Sequence, residues 1–267
     1  MASQVLPLAD CKTMSQLPRF YCPSALQPGD ELELPSGTAR HVQVRRMQPG
    51  DDITLFNGEG GECVAVITHM GRSDVAVRVT HKLDTERELS VRVHLWSGLT
   101  ANERMDWLLE KATELGATSL LPITAERSVL KLKGERADKK LAHWQAIAVA
   151  SSEQCGRNRV LQVAAPLTLS QAIAASKLQA TDARWVLSLA EGTKSLQEAM
   201  QALPPAGTDQ LQEVTLLSGP EGGLSPAEEA EALAAGFTPV SLGQRVLRAE
   251  TAPVAVLSAL SLLNSLH

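Results

Sequence analysis

Apolar and polar residues alternate in short segments along the first part of the chain. This period-two pattern predicts β-strands at Glu31–Leu34, Asp52–Phe56, Glu62–Thr68 and Asp74–Thr80. Turn sequences at Pro49–Asp51 and Asn57–Gly58 separate some of them, because proline fixes φ and glycine accepts a positive φ. Closely spaced short strands of this kind predict a small β-barrel domain over residues 18–85.

After the charged stretch Lys82–Glu88, strands and helices alternate. Short apolar runs predict strands at Val91–Trp96, Ser119–Ile123, Val160–Ala164, Trp185–Ala190, Val214–Gly219 and Pro239–Gly243. Helical spacing predicts helices over Arg104–Gly116, Ala137–Glu153 and Thr251–Leu266, and helices that begin near Leu169, Lys194 and Pro226. The alternation predicts an α/β domain over residues 86–267, with a mostly parallel sheet covered by helices on both faces.

The helix that begins at Pro226 has the clearest start signal. Ser225 is predicted as its N-cap, and Pro226 occupies the first helical position, where proline is favourable. Glu228 completes a capping box with Ser225. Gly236 is expected to end the helix, because glycine accepts the backbone conformation found at helix C-termini.

The composition is typical of a globular protein. Hydrophobic residues make up 44% of the chain and charged residues 21%, and no apolar run approaches the roughly 20 residues that a membrane span needs. The first residues, up to Asp10, contain no positive charge and no long apolar block, so a secretory signal is not expected. We therefore predict a cytoplasmic protein with no membrane partner.

Cysteine spacing bears on metals and redox compartment. Cys11, Cys22, Cys63 and Cys155 lie far apart, with no C-x-x-C sequence and no histidine at a zinc-finger spacing. The pattern favours reduced thiols in the cytosol and predicts no bound metal.

The net charge of −5 argues mildly against nucleic-acid binding, because lysine and arginine drive contact with phosphates. The basic residues are nevertheless clustered. They lie at Arg127, Lys131, Lys133, Arg136, Lys139 and Lys140, at Arg40, Arg45 and Arg46, and at Arg157 and Arg159. Such clusters are either solvated faces or nucleic-acid contacts. Aromatic residues make up only 3% of the chain, so a platform that stacks several bases is not expected.

Three predicted strand ends carry residues that suggest a ligand site. The crevice of an open α/β sheet lies at the carboxyl ends of its strands, and the relevant ends are Leu189–Gly192, Ser218–Gly223 and Leu242–Thr251. Glycines in the second segment, SGPEGG, let the backbone approach a ligand closely. This segment is neither G-x-G-x-x-G nor a P-loop. By itself it is either a ligand-binding loop or a tight turn before a helix.

The third segment places two arginines and a glutamate before a very apolar helix. Arg245 and Arg248 have the charge to neutralise a phosphate or a negative charge that develops on a base. The alternative is that they form ion pairs with Glu250 or Glu221 and only hold the loop in place.

At these two segments the chain resembles a known family. Leu216–Thr251, with its SGPEGG and LGQRVLRAET sequences, is similar to the end of the RsmE family, the 16S ribosomal RNA uridine N3-methyltransferases of the SPOUT superfamily. Further matching segments are Arg45–Gly60, Arg104–Gly116, Glu126–Val129 and His143–Val160. The resemblance runs from about Arg19 to the end, so residues 1–17 are expected to be a flexible extension. The family usually has threonine where this chain has Ala249, which removes one hydroxyl.

The resemblance implies features that the hydrophobic periodicity of the sequence does not predict. It implies a PUA-like N-terminal domain, a C-terminal sheet threaded into a trefoil knot, and a homodimer with the RNA site across its interface. It also implies S-adenosylmethionine (SAM) as the cofactor. The residues that the resemblance assigns to the cofactor are Leu189, Ala190, Glu191, Gly219, Pro220, Glu221, Gly222, Gly223, Ser241, Leu242, Gly243, Val246, Leu247 and Thr251.

Methylation at N3 of uridine requires positioning, stabilisation of negative charge on the uracil, and a proton acceptor. Arg248 and Arg245 are predicted to face the base or its phosphate, and Glu221 and Glu250 are the candidate bases. The partner is then 16S ribosomal RNA or the small ribosomal subunit. The predicted RNA contacts are Arg40, Arg45, Arg46, Arg127, Lys131, Lys133, Arg157 and Arg159.

Three other functions stay open at this point. The first is that of another SPOUT methyltransferase, which acts on transfer RNA or on a different ribosomal base. A non-catalytic RNA-binding or ribosome-assembly protein with the same fold is a second possibility. The third, a small-molecule α/β enzyme that uses another nucleotide, is disfavoured by the missing phosphate-binding sequences.

Overall fold

The structure, a computed structural model, describes residues 17–132, 134–176, 181–204 and 211–264. The chain folds into two compact units. The first comprises the described residues up to Arg87 together with Glu153–Arg159, and the second comprises Glu88–Ser152 and the residues from Val160 onward. The predicted flexible extension falls on residues 1–17, of which only Leu17 is described, and Cys11 also lies outside the described residues.

The first unit contains a mixed five-stranded sheet. Its strands are β1 (Arg19–Tyr21), β2 (Glu31–Glu33), β3 (Asp52–Phe56), β4 (Glu62–Met70) and β5 (Val75–Leu83), in the order β1-β3-β4-β5-β2. The β1–β3 pair is parallel and the other pairs are antiparallel. Alternate side chains of the strands, among them Phe20, Ile53 and Val77, are buried in the core of this unit. The predicted strands of this region are thus present, and β4 and β5 extend beyond their predicted ends.

One helix of the first unit was not predicted. Helix α1 (Ser36–Val44) lies between β2 and β3, and Ala39 and Val42 are its buried residues. Its sequence contains Gly37 and three β-branched residues, which lower helix propensity. Two buried positions three residues apart are too few to show a helical period. The helix therefore depends on packing against the rest of the unit, which local sequence does not reveal.

The second unit is built on a seven-stranded sheet in which every pair is parallel. Its strands are β6 (Val91–Gly98), β7 (Ser119–Ile123), β8 (Gln162–Val163), β9 (Ala183–Leu187), β10 (Lys194–Ser195), β11 (Gln212–Ser218) and β12 (Thr238–Ser241). The strand order is β10-β12-β9-β11-β6-β7-β8. The predicted parallel α/β sheet is confirmed.

Helices connect these strands. They are α2 (Asn102–Glu114), α3 (Glu135–Cys155), α4 (Leu169–Ser176), α5 (Leu196–Gln201), α6 (Pro226–Ala234) and α7 (Thr251–Asn264). The helix predicted to begin near Lys194 is present as α5, which starts at Leu196, while Lys194 and Ser195 form β10 against Val240 and Ser241. The predicted end of the last helix at Leu266 lies outside the described residues.

Helix α6 begins as its sequence indicates. The Ser225 side chain accepts a hydrogen bond from the Glu228 backbone N–H, and Glu228 reciprocates, so the capping box is complete with Pro226 in the first turn. Gly236 follows with φ of +87°. The helix packs on the sheet through a cluster in which the rings of Trp96 and Phe237 lie 5.5 Å apart. This packing fixes the helix that follows the glycine-rich segment.

The strand order sets the position of the site. β12, β9 and β11 are neighbours and run in the same direction, so their carboxyl ends lie side by side at one edge. The three segments singled out in the sequence leave the sheet at this edge.

Candidate active site

A cleft of about 550 Å³ opens at the carboxyl ends of β9, β11 and β12. Three loops line it: the loop after Leu187, the glycine-rich segment from Ser218 to Leu224, and the segment from Leu242 to Ala249. The segments are 18 or more residues apart in the chain, and only the parallel sheet brings them together. A crevice at such strand ends is the usual ligand site of an open α/β sheet.

The glycine-rich segment is a tight turn against the end of β6. The Gly223 N–H donates to the Pro220 carbonyl oxygen at 2.8 Å, and Gly223 has a φ of +69°, which glycine adopts without strain. A Cβ atom on Gly98 would lie 2.3 Å from the Pro220 nitrogen. Gly98 is therefore required for the close approach of β6 to this turn, a role the sequence analysis missed.

Arg127 holds the far side of the glycine-rich segment. Its Nη1 donates to the carbonyl oxygens of Gly222 and Leu224, at 3.1 and 3.3 Å, and Arg127 itself lines the cleft. A Cβ atom on Gly222 would lie 3.0 Å from the Arg127 Cβ. The sequence predicts Arg127 only as an RNA contact, whereas in the structure Arg127 also supports this loop.

A partly buried hydrogen-bond chain supports the loop after β9. The Ser188 hydroxyl donates to Glu229 Oε1 at 2.5 Å and accepts from the Ala190 N–H at 3.1 Å. The Ser188 N–H donates to the Val240 carbonyl oxygen of the neighbouring strand. Ser188 and Glu229 both line the cleft, and the sequence analysis identified neither.

The rim of the cleft is apolar and exposed. Leu189 and Val246 are 72% and 75% exposed, although large apolar side chains gain from burial. They stand on two different loops that line the same cleft. Exposed apolar side chains at the mouth of a cleft with polar groups are typical of a ligand site.

Most predicted cofactor residues line the cleft. They are Leu189, Ala190, Gly219, Pro220, Glu221, Gly222, Gly223, Leu242, Gly243, Val246 and Leu247. Glu191 does not line it, Ser241 lines a neighbouring pocket with Leu196, and Thr251 lies at a separate pocket with Arg248. The Ser241 hydroxyl accepts a hydrogen bond from the Gly243 N–H at 3.2 Å, so it shapes the loop rather than the cleft surface.

The four predicted catalytic residues are distributed over two spaces. Arg245 and Glu221 line the cleft, whereas Arg248 and Glu250 line the adjacent pocket. Among the described residues, no ion pair joins either arginine to either glutamate. The alternative, a loop held in place by ion pairs between these arginines and glutamates, is therefore not found in the structure.

A different arginine contacts both carboxylates. Arg104 Nη1 donates to Glu221 Oε1 at 3.2 Å, and Arg104 Nε lies 3.8 Å from Glu250 Oε1. The Ala101 N–H also donates to Glu221 Oε1, at 3.0 Å. The sequence pattern indicates Arg104 only as the start of a helix, because its partners are far away in the chain.

Both parts of the chain match known protein families. The family described as the RNA methyltransferase domain matches residues 87–261, and the RNA methyltransferase PUA domain matches residues 34–80. Ribosomal RNA small subunit methyltransferase E of Bacillus subtilis is 34% identical over 224 residues, which cover 82% of this chain and 85% of that protein. The chain belongs to the ribosomal RNA small subunit methyltransferase E family. The resemblance seen in the sequence is confirmed.

Solved structures of relatives agree with this family assignment. The methyltransferase E of Neisseria gonorrhoeae, solved bound to S-adenosyl methionine, is 33% identical with a TM-score of 0.82, over 93% of this chain and 98% of that one. A Legionella pneumophila protein solved in complex with the cofactor SAM is 34% identical with a TM-score of 0.84, over the same shares of the two chains.

The predicted RNA contacts of this family member have different environments. Arg40, Arg45, Arg46, Arg127, Lys131 and Arg159 are exposed, and Lys133 lies outside the described residues. Arg157 is only 4% exposed. The prediction of a direct RNA contact by Arg157 is corrected, because a buried guanidinium is not presented at the surface.

Two of these arginines are held in place within the first unit. The Arg45 guanidinium lies 5.8 Å from the centre of the Phe20 ring, a cation–π distance. Arg159 Nε donates to Glu86 Oε2 at 2.7 Å. Arg46, directly after α1, has a φ of +56°, which is uncommon for a residue other than glycine.

Two further features are absent from the described residues. No group of three or more histidine, cysteine, aspartate or glutamate side chains is placed to hold a metal ion there. No helix in the described ranges is both long enough and apolar enough to span a membrane.

Proposed function

We propose that this protein uses SAM to methylate N3 of a specific uridine in 16S ribosomal RNA of the small ribosomal subunit. The observation that carries the proposal is the cleft at the ends of β9, β11 and β12, formed by three loops in a member of the methyltransferase E family. The family relation supports the reaction and the RNA, and the cleft supplies a place for the methyl donor.

The residues of the cleft fit SAM. Ser218 is 3% exposed, lines the cleft, and its hydroxyl has no hydrogen-bond partner among the described residues. Buried polar atoms normally have a partner, so a ligand group is expected there. Leu189 and Val246 are suited to contact an apolar or aromatic part of the ligand, and the glycine-rich backbone is suited to its polar groups. When bound, SAM supplies a methyl group on a positively charged sulfur.

The catalytic assignments follow from the charge of each side chain and from its hydrogen-bond partners. Arg248 and Arg245 carry the positive charge that stabilises negative charge on the uracil or binds its phosphate. Glu221 is engaged by Ala101 and Arg104, so we assign it a positioning role. Glu250 then remains as the candidate proton acceptor.

RNA binding is proposed for the exposed basic residues. They are Arg40, Arg45, Arg46, Arg127, Lys131 and Arg159. Neutralising several of them together is expected to weaken RNA binding and to reduce its salt dependence. Cofactor affinity is expected to stay the same when the neutralised residues lie outside the cleft. Unchanged RNA affinity in such a variant would contradict the assignment.

The remaining implications of the family resemblance are part of the proposal. They are a homodimer with the RNA site across its interface, a cytoplasmic location, and a trefoil knot in the parallel sheet. The proposal also includes a PUA-like barrel at 18–85 and a methyltransferase domain at 86–267.

Transfer of labelled methyl groups from SAM tests the proposal. The acceptors are small ribosomal subunits and naked 16S RNA, both from a strain that lacks the gene, and transfer RNA from the same strain is the comparison. Label on one uridine of 16S RNA is expected. Label on transfer RNA indicates another RNA methyltransferase instead, and SAM binding without transfer to any RNA indicates a binding protein.

A further inference from the structure

A second pocket, of about 530 Å³, lies beside the proposed cofactor cleft. Glu103, Arg104, Trp107, Arg248, Glu250 and Thr251 line it. Ala249 lines the cofactor cleft, while its two neighbours in the chain, Arg248 and Glu250, line this pocket. Consecutive residues of one loop thus contribute to both spaces. A methyl donor and its acceptor must meet, so an acceptor site is expected next to the donor site.

Trp107 gives this pocket an aromatic surface. It is 40% exposed, whereas Trp96, Trp144 and Trp185 are 7%, 0% and 3% exposed. The apolar core face of α2 is formed by other residues, including Met105 and Leu108. Trp107 is therefore not needed to cover the core of the unit. Single-stranded bases are commonly recognised by stacking on such exposed aromatic rings.

Glu250 contributes an unsatisfied acceptor to the same pocket. The residue is 8% exposed, and its Oε2 has no hydrogen-bond partner among the described residues. Its other oxygen, Oε1, lies 3.8 Å from Arg104 Nε. A buried carboxylate oxygen without a donor is costly, so this atom is expected to meet a donor that the ligand brings.

Arg248 contributes an available cation. Its side chain is exposed, and no hydrogen bond or ion pair of its guanidinium is found in the described ranges. A guanidinium presents several donors in one plane, which suits the carbonyl oxygens of a base.

We propose that this pocket receives the uracil ring of the target uridine. Trp107 stacks on the ring, Arg248 donates to a uracil carbonyl oxygen, and Glu250 Oε2 accepts the N3 proton. The inference rests on the proposed function and identifies the substrate part of its site. A uracil offers one N–H donor between two carbonyl oxygens, which is the complement of a carboxylate beside an arginine.

The chemical step balances with these residues. The N3–H bond breaks and its proton moves to Glu250 Oε2. The electron pair left on N3 forms the bond to the methyl carbon that SAM supplies, and the bond from that carbon to sulfur breaks with its electrons on sulfur. Arg248 stabilises the negative charge that develops on the ring oxygen.

Tryptophan fluorescence tests the binding part without turnover. Because the other three tryptophans are buried, quenching by oligouridine is expected to report on Trp107. Replacement Trp107→Ala is expected to weaken oligouridine binding, measured by anisotropy of a labelled oligonucleotide, by about tenfold, since stacking contributes roughly 1–3 kcal/mol per base. Trp107→Phe should keep most of the affinity, and Leu233→Ala, at another exposed apolar residue, should keep all of it.

Three further outcomes keep the inference separate from the proposed function. SAM binding, measured by calorimetry, is expected to be the same in Trp107→Ala and the unmodified protein. If the unmodified protein does not bind SAM, the proposed function fails, whatever oligouridine does. If Trp107→Ala changes a dimer into a monomer in sedimentation and oligouridine affinity stays the same, a second copy covers the pocket and the inference is wrong.

Replacement Glu250→Gln tests the proton acceptor. It keeps the shape and the contact with Arg104 but cannot take a proton at neutral pH. Methyl transfer to small subunits is expected to fall by about 100-fold or more, and to recover at alkaline pH, where solvent removes the N3 proton. Oligouridine binding should be retained. Glu110→Gln, at an exposed carboxylate on helix α2, is the matched control. Unchanged turnover in Glu250→Gln, or a loss without alkaline recovery, would overturn this role.

Discussion

Arg104 Nη1 donates a hydrogen bond to Glu221 Oε1 at 3.2 Å, although 117 residues separate the two in the chain. The same oxygen accepts the Ala101 N–H at the start of α2. A carboxylate at the N-terminus of a helix is stabilised by the helix dipole. The glycine-rich segment is thereby anchored to α2, and the anchor is one of the residues that the sequence suggests as a catalytic base.

Replacement Glu221→Ala removes this anchor. We expect the free energy of unfolding to fall by about 0.5–2 kcal/mol, as for loss of a helix cap, and SAM affinity to fall with it. Thermal unfolding and calorimetry measure the two effects. Glu221→Gln keeps one acceptor and is expected to show smaller losses. If Glu221→Gln instead abolishes turnover with normal SAM affinity, Glu221 is a catalytic base and its positioning role is wrong.

Replacement Arg127→Ala tests the support of the loop from the other side. Loss of the hydrogen bonds to Gly222 and Leu224 is expected to weaken SAM binding by about threefold to tenfold, because these bonds are charge-assisted but exposed. Lys131→Ala removes the same charge four residues away, and calorimetry should find its SAM affinity unchanged. Equal SAM affinity in both variants contradicts the supporting role.

Replacement Gly98→Ala tests the close approach of β6 to the glycine-rich turn. The added Cβ would lie 2.3 Å from the Pro220 nitrogen, and such overpacking costs about 1–3 kcal/mol or more. A lower unfolding temperature and loss of SAM binding are expected. Gly37→Ala is the matched control, because a Cβ there meets nothing within 4 Å and the residue lies in α1. A Gly98→Ala protein as stable as the Gly37→Ala protein would show that this turn is not tightly packed.

The Glu62 side chain makes the stability of the first unit dependent on pH. Burial opposes ionisation of Glu62, but hydrogen bonds from Arg87 and Arg19 outweigh it, so the pKa of Glu62 is lowered. Arg19 Nη1 donates to Glu62 Oε2 at 2.5 Å and Arg87 Nη1 to the same oxygen at 3.1 Å. The stability from this pKa difference is present above the unfolded-state pKa, which is near the ordinary carboxyl value. It is lost as the pH falls through the lower folded-state value.

Acid unfolding measures this effect. Glu62→Gln is expected to be less stable at neutral pH and to lose less stability on acidification than the unmodified protein. Glu31→Gln is the control, because the Glu31–Arg78 pair is more than half exposed and contributes little. The same dependence on pH in Glu62→Gln and the unmodified protein would contradict this account.

Local patterns predict much of the fold. Asp52–Phe56 and Ser119–Ile123 are strands from their first to their last predicted residue, because each is a short run of β-forming residues between turn signals. The helix at Ser36–Val44 is not predictable in this way, since tertiary packing outweighs its weak propensity. The strand order also depends on pairings between distant residues, such as Val214 with Val93.

The site was predictable only in part, for a related reason. The segments at Gly219–Gly223 and Leu242–Thr251 carry local signals, namely glycine clusters and charges beside an apolar helix. Arg104 and Ser188 carry none, because each acts on a partner that the fold brings close. Trp107 sits within a helical pattern, and only its exposure distinguishes it from a core residue.

Mass spectrometry of 16S ribosomal RNA tests the central claim most directly. The RNA is taken from a strain that lacks the gene, from the same strain with the gene restored, and from one that carries Arg248→Ala. We predict that one uridine lacks its N3 methyl group in the deletion strain, regains it on restoration, and stays largely unmethylated with Arg248→Ala. Identical methylation of 16S RNA in all three strains would contradict the account.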